Sequence, residues 1–242
     1  MTEGTIYGVG LGPGDPDLMS VRADRLVRGA KHVAYFRKAG RKGQSRQIVE
    51  GMLADGVVEF PMEYPVTTEI PVEDPRYNEI LSAFYAECTE HLKELTQAGH
   101  DVVVLCEGDP FFYGSFMHLY TRLKDDKVVE IVPAITGMSG AWTATGQPIT
   151  WGDDVLTVLA GTLSEFELTK RMAETDALVV MKIGRNMEKV CRSLKASGKY
   201  PDAWLVEYAT MAKQTVRKVS EITEEIAPYF AIIVVHGQGR RP

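Results

Sequence analysis

A Gly-Pro-Gly-Asp-Pro turn at residues 12–16 directly follows a short apolar segment at residues 5–11. A second Gly-Asp-Pro, at residues 108–110, follows another apolar run at residues 102–106. A strand that runs at once into a tight turn, twice, implies two loops at one edge of a parallel sheet. In open α/β sheets ligands bind at that carboxyl edge. Glycine lets the backbone approach a ligand and adopt positive φ, and proline fixes the entry angle.

Commoner glycine motifs do not fit the first loop. The dinucleotide fingerprint needs Gly-x-Gly-x-x-Gly and an acid about 20 residues on. Counted from Gly8 the last position is Pro13, counted from Gly10 it is Asp15, and no acid lies between Gly29 and Gly43. A phosphate loop needs Gly-Lys-Ser/Thr, but Gly14 is followed by Asp15, which repels phosphate. The loop suits an uncharged or cationic ligand. The plain alternative is a strand-to-helix turn with an N-cap; two such loops on successive strand ends favour a ligand site.

The chain has 242 residues, 45% apolar and 25% charged, which is an ordinary globular profile with room for one large or two modest domains. No apolar run approaches the ~18 residues of a membrane span, and the N-terminus shows no signal peptide. Cys88, Cys106 and Cys191 are far apart and read as reduced thiols of a cytoplasmic protein. The five histidines lack metal-ligand spacing, so no metal is expected. The net charge of -6 argues against a nucleic-acid binder. However, Arg37, Lys38, Arg41, Lys42 and Arg46 fall in a ten-residue window without an acid. This is either a solvated loop or a local site for a polyanionic substrate.

Apolar strands alternate with helical patterns, which predicts βαβ units. In the first half, strands are expected at residues 32–36, 57–60, 102–106 and 128–132. Ser20 caps a helix to residue 28, and a short helix spans residues 46–53. A long helix begins near Arg76, with Tyr77, Ile80, Leu81, Phe84, Cys88, Leu92 and Leu95 at helical spacing and Gly99 past its end. Residues 102–106 read as a central parallel strand. The joint is placed between residues 134 and 135, giving an α/β domain over 1–134 and a second over 135–242. The second half should hold strands at 155–159, 178–181, 203–206, 215–219 and 232–235. Its helices should lie at 138–145, 165–173, 187–197 and 222–227.

Three ordered motifs then carry a resemblance: Val-Gly-Leu-Gly-Pro-Gly-Asp-Pro at 9–16, Glu-Gly-Asp-Pro-Phe-Phe-Tyr-Gly at 107–114 and Pro-Ala-Ile-Thr-Gly-Met-Ser-Gly at 133–140. In this order the chain resembles, over nearly its whole length, the tetrapyrrole methylases that use S-adenosylmethionine. Tyr-Pro-Val-Thr-Thr-Glu at 64–69, Glu107 and Met-Lys-Ile-Gly-Arg at 181–185 resemble the subgroup acting at ring carbon 20 of precorrin-2 or cobalt-precorrin-2. The resemblance implies two α/β domains, an N-terminal mostly parallel sheet and a C-terminal mixed sheet, with S-adenosylmethionine between them and S-adenosylhomocysteine as product. It implies cofactor contacts from Leu11 and Pro13, from Gly108, Asp109 and Phe112, from Thr136 and Gly137, and from Ile183, Ala209 and Gly237. It also implies a homodimer. Glu107 stands where other members carry glycine, which sets this chain apart within the family.

The residues fit such a cofactor. Turn amides can bind its carboxylate, and carbonyls and Asp109 can offset its cationic groups; Asp109 can equally serve an Asx turn before Pro110. A sulfonium is a good leaving group, so the protein need supply only alignment and water exclusion, not a nucleophile. A reduced tetrapyrrole has electron-rich methine carbons, and the methylated carbon must then lose a proton. Glu107, Tyr64 and Glu69 are the candidate bases, each with a structural alternative. The many carboxylates of such a substrate give Arg37, Lys38 and Arg41 a role. The rival readings are methylation at another tetrapyrrole carbon or of ribosomal RNA, and a non-catalytic tetrapyrrole carrier or sensor.

Overall fold

The computed structural model describes residues 2–67, 70 and 74–241. The chain forms two compact units, Met1–Thr136 and Gly137–Pro242.

In the first unit, β1 (Ile6–Gly10) leads to α1 (Val21–Gly29), β2 (His32–Lys38), α2 (Gln44–Ile48), β3 (Val58–Tyr64), α3 (Pro75–Gln97), β4 (Val102–Cys106), α4 (Phe116–Leu123) and β5 (Val129–Val132). The strands form one sheet in the order β3-β2-β4-β1-β5. Every pairing is parallel. β4 is the middle strand and all five of its residues are buried, as its unbroken apolar run requires. Alternation sends Ile6, Ala34, Val102 and Val104 to one face, where Phe84, Cys88 and Leu92 of α3 and Phe116, Leu119 and Leu123 of α4 cover them. Val9, Val33, Val103 and Leu105 face the other way, onto Ala23 and Val27 of α1 and Ile48 of α2. Each fully buried Leu or Phe contributes about 1.5–3 kcal/mol. Ser20 caps α1 by accepting from the Ala23 amide at 3.1 Å.

In the second unit the order is α5 (Gly137–Ala144), β6 (Leu156–Ala160), α6 (Glu165–Ala173), β7 (Ala177–Met181), α7 (Met187–Ala196), β8 (Trp204–Glu207), β9 (Thr215–Lys218) and β10 (Ala231–Val235). The sheet order is β6-β7-β10-β8-β9. β6 and β7 are parallel and the other pairings antiparallel, so the sheet is mixed. Leu168 and Met172 of α6 and Val190 and Leu194 of α7 cover one face. Met138, Ala141 and Trp142 of α5 cover the other.

Some local expectations are corrected. α2 starts at Gln44 and ends at Ile48, before Gly51 turns the chain at φ 76°. β3 runs on to Tyr64, held by its parallel register with β2 through Lys38. α4 was not anticipated, although Phe116, Leu119 and Leu123 repeat at helical spacing and are buried. The helix expected at 222–227 does not form. A 3-10 turn at Val219–Glu221 takes its place, and the Ala227 amide donates to the Gly184 carbonyl rather than to its own turn.

Candidate functional site

The first unit's site is a consequence of strand register. Gly10 of β1 lies opposite Cys106 of β4, and Val9 opposite Val132 of β5. Three carboxyl ends therefore align, and the loops that follow them meet. The Leu11 amide donates to the Cys106 carbonyl at 2.9 Å, and the Gly108 amide donates to the Gly12 carbonyl at 2.8 Å. Gly12 and Gly108 form an antiparallel bridge beyond the strands. At Gly10 the three loops converge. A Cβ there would lie 2.6 Å from the Ala134 Cβ, 2.8 Å from the Gly108 oxygen and 2.9 Å from Pro110 Cδ. Gly108 sits at φ 63°, a conformation that a side chain would strain.

Asp109 braces this convergence. Its Oδ1 accepts from the Phe111 amide at 2.9 Å, the expected Asx turn, and its Oδ2 accepts from the Ala134 amide at 3.0 Å. The carboxylate thus ties the loop after β4 to the loop after β5 and fixes a negative charge beside the glycine turns. Two expectations change. The Leu11 and Gly108 amides join loop to loop, so they are not the donors for a ligand carboxylate. Leu11 is fully buried in the core beside Val9, and Pro13 is also buried, so Leu11 can meet a ligand only through its backbone. Phe112 is half-buried, its ring 4.8 Å from that of Tyr113. Thr136 is the last residue of the first unit.

In the second unit, β7 and β8 both end at the start of β10, because β10 runs antiparallel to each. Ile183 and Ala209 therefore flank one sheet edge. Ala209 packs in the cluster that holds Ile232 and Met138, and a Cβ on Gly137 would lie 3.6 Å from Ile232 Cδ1. The start of α5 is thus brought to the same edge. Ile183 is buried among Val180, Met187 and Val190, so its backbone alone is available. Gly237 does not join this group. It follows the far end of β10, where its amide donates to the Ile149 carbonyl and Asp154 packs against it. Next to it, the buried His236 ring bridges Thr145 Oγ1 at 2.9 Å and the Pro148 carbonyl at 3.0 Å.

Backbone strain adds a signal absent from residue type. Among the described residues, the non-glycine positions with positive φ are Tyr113 (55°), Lys182 (55°), Tyr208 (51°) and Thr210 (65°). Each neighbours a candidate cofactor residue: Phe112, Ile183 and, on both sides, Ala209. Such conformations cost about 1–3 kcal/mol each and concentrate at ligand sites.

The cationic window is not bare in space. Register places Arg37 opposite Glu63, and the two form an ion pair. Arg46 forks onto Glu59 with two bonds of 2.9 Å, which holds the Glu59 carboxyl below its usual range. Lys42 pairs with Glu50. The acids missing from the sequence window come from β3 and from beyond α2, so Arg41 is the member of the window without a described ion pair, while Lys38 has a partner.

Of the candidate bases, Tyr64 stacks on Phe36 at 5.4 Å and its hydroxyl bonds Ser115 Oγ, so it is a packed group under α3 and α4. Glu69 lies outside the described residues. Glu107 follows β4, and its Oε1 accepts from the Ser45 amide at 3.1 Å. Burial pushes its carboxyl up to about 7, opposed by the Ser45 hydrogen bond. Ser45, Ser115 and Ala134, which hold Glu107, Tyr64 and Asp109, were missed because each acts from a distant part of the chain. No group of three or more His, Cys, Asp or Glu able to hold a metal occurs among the described residues.

The model of the tetrapyrrole (corrin/porphyrin) methylases matches residues 5–223. A precorrin-2 C(20)-methyltransferase of Sinorhizobium sp is 47% identical over 239 residues, 99% of this chain and 98% of that protein. A cobalt-precorrin-2 C(20)-methyltransferase of Salmonella typhimurium is 27% identical over 241 residues, 98% of each chain. Among solved structures, a cobalt precorrin-4 methyltransferase described as a cobalamin biosynthetic enzyme shares the fold, with TM-score 0.73 and 23% identity over 96% of this chain and 94% of that one. The chain belongs to the tetrapyrrole methylase family.

Proposed function

We propose that this protein transfers a methyl group from S-adenosylmethionine to carbon 20 of precorrin-2, as a step of cobalamin biosynthesis. The observation that carries the reading is the near-full-length likeness to the Sinorhizobium precorrin-2 C(20)-methyltransferase.

The residues of both units fit such a cofactor. In the first, Gly108 and Asp109 with the backbone of Leu11 and Pro13, flanked by Phe112 and Thr136, form a turn cluster with a fixed carboxylate and no phosphate-binding lysine. That charge suits a cationic ligand. In the second, Gly137, Ile183 and Ala209 supply a strained edge. Gly237 is the weakest member of the set, since it lies at the opposite edge of its own sheet. The cofactor supplies a methyl group on a positively charged sulfur, already activated toward displacement. The protein then has to align acceptor and donor and exclude water, and alignment alone can supply about 7–11 kcal/mol. Asp109 offsets positive charge in the ground state, and the stitched loops keep it in place. Arg41, the member of the cationic window without a described ion pair, holds substrate carboxylates, while Arg37 is paired with Glu63.

A cytoplasmic homodimer with no nucleic-acid or membrane partner completes the reading. No described helix is long and apolar enough to cross a membrane. The test is incubation with methyl-labelled S-adenosylmethionine and precorrin-2, or its cobalt form, followed by location of the new methyl group by NMR. Label at carbon 20 with equimolar S-adenosylhomocysteine is expected. Label elsewhere on the ring, or none, refutes the assignment.

A further inference from the structure

We propose that Glu107 is the base that removes the proton from the ring carbon once it has been methylated. The inference rests on the methyl-transfer reading above. In that step the methyl carbon–sulfur bond breaks as the new carbon–carbon bond forms, which leaves the ring cationic. The carbon–hydrogen bond at the same ring carbon then breaks, its electron pair returns to the ring π system, and the proton passes to a carboxylate oxygen of Glu107.

Position is the first support. Glu107 is the residue between β4 and Gly108, whose amide bonds the Gly12 carbonyl, so it stands within the pair of stitched loops. Alternation along β4 puts Glu107 on the face of Val103 and Leu105, over which Ile48 and Val49 pack. An apolar residue would suit such a place, yet the chain carries a carboxylate.

Its surroundings are the second support. The one described hydrogen bond to its carboxylate comes from the Ser45 amide to Oε1, and Oε2 remains available for a proton. No described cation pairs with it. On the neighbouring elements, Arg37 of β2 is committed to Glu63, and Arg46 of α2 to Glu59. Tyr35 of β2 bonds the same Glu59. On its own strand and turn, burial holds the Cys106 thiol neutral and Asp109 is engaged by two backbone amides. Burial without a cation raises the Glu107 carboxyl to about 7. A base so tuned is stronger than an ordinary carboxylate and still largely ionised at slightly alkaline pH. Tyr64, by contrast, has its hydroxyl engaged by Ser115.

The test uses the full-length enzyme with precorrin-2 tritiated at the methine carbon and with S-adenosylmethionine. Glu107→Gln keeps an oxygen for the Ser45 amide. In rapid-quench turnover this variant should form S-adenosylhomocysteine within about threefold of the wild-type rate, while tritium release slows by roughly 10²–10⁴-fold. Unchanged tritium release, or equal slowing of both steps, overturns the proposal. Should the variant fail to bind cofactor by calorimetry, the wild-type profile decides. Tritium release must fall as pH drops, with a midpoint near 7, and a flat profile from pH 6 to 8 overturns it. A wild-type enzyme that forms no methylated tetrapyrrole defeats the parent reading instead.

Discussion

Replacing Asp109 by Asn tests the brace at the loop convergence. The carboxylate accepts from the Phe111 amide at 2.9 Å and from the Ala134 amide at 3.0 Å. Asn has the same shape but only one accepting oxygen, so its NH2 must face one of the two amides, donor against donor. A hydrogen bond to a charged acceptor is worth about 1.5–3 kcal/mol. The turn at Phe111 is exposed and the tie to Ala134 is half-buried, so the loss should sit near the lower end of that range. About 1.5 kcal/mol corresponds to roughly tenfold in the local opening equilibrium. Amide hydrogen exchange at Ala134 reads that opening directly, without requiring two units to unfold together. We expect about tenfold faster exchange at Ala134 or Phe111, little change in β4, and weaker S-adenosylmethionine binding by calorimetry. Exchange within twofold of wild type at both amides would show that the carboxylate does not hold the loops.

Gly10→Ala should cost about 1–3 kcal/mol in denaturant melts of the first unit, because its methyl meets the Ala134 Cβ at 2.6 Å and backbone oxygen at 2.8 Å; stability within 0.5 kcal/mol of wild type contradicts the convergence. Glu59→Gln should cost about 1 kcal/mol at pH 7, a modest value because the Arg46 pair is partly exposed. Glu59 has a folded-state pKa held below 4.5 by Arg46, so its contribution is present above that pH and is lost as pH falls through the lowered value. The stability gap between variant and wild type should therefore narrow only as pH falls below 4.5 and through the lowered value, and a gap that persists once the folded Glu59 is protonated counts against the pair. Arg41→Ala should raise the KM for the tetrapyrrole, more at low salt, and leave cofactor affinity unchanged; an unaltered KM removes Arg41 from the substrate site.

Much of this architecture was legible in residue order alone. Unbroken apolar runs ending in Gly-Asp-Pro marked β1 and β4 and put their loops at one sheet edge, because parallel strands carry their carboxyl ends together. Ser20, Gly99 and the three-and-four spacing from Tyr77 to Leu95 marked α1 and α3 for similar local reasons. Family membership followed from motifs whose chemistry is carried by backbone turns. Contacts between distant segments were not legible. The acids that neutralise Arg37 and Arg46 lie on β3; the β2–β3 register sets Glu63 opposite Arg37, and the placement of α2 brings Arg46 to Glu59. The antiparallel course of β10 separates Gly237 from Ile183 and Ala209, a fact of strand direction that local pattern does not encode. The character of Glu107 also came from tertiary structure, since a glutamate in a loop motif looks ordinary until the packing around it raises its carboxyl and leaves it a single amide donor. Sequence determined the strands, their turns and the family, because those depend on neighbours in the chain. Tertiary structure decided which charges are cancelled and which carboxylate is left to react, because those depend on neighbours in space.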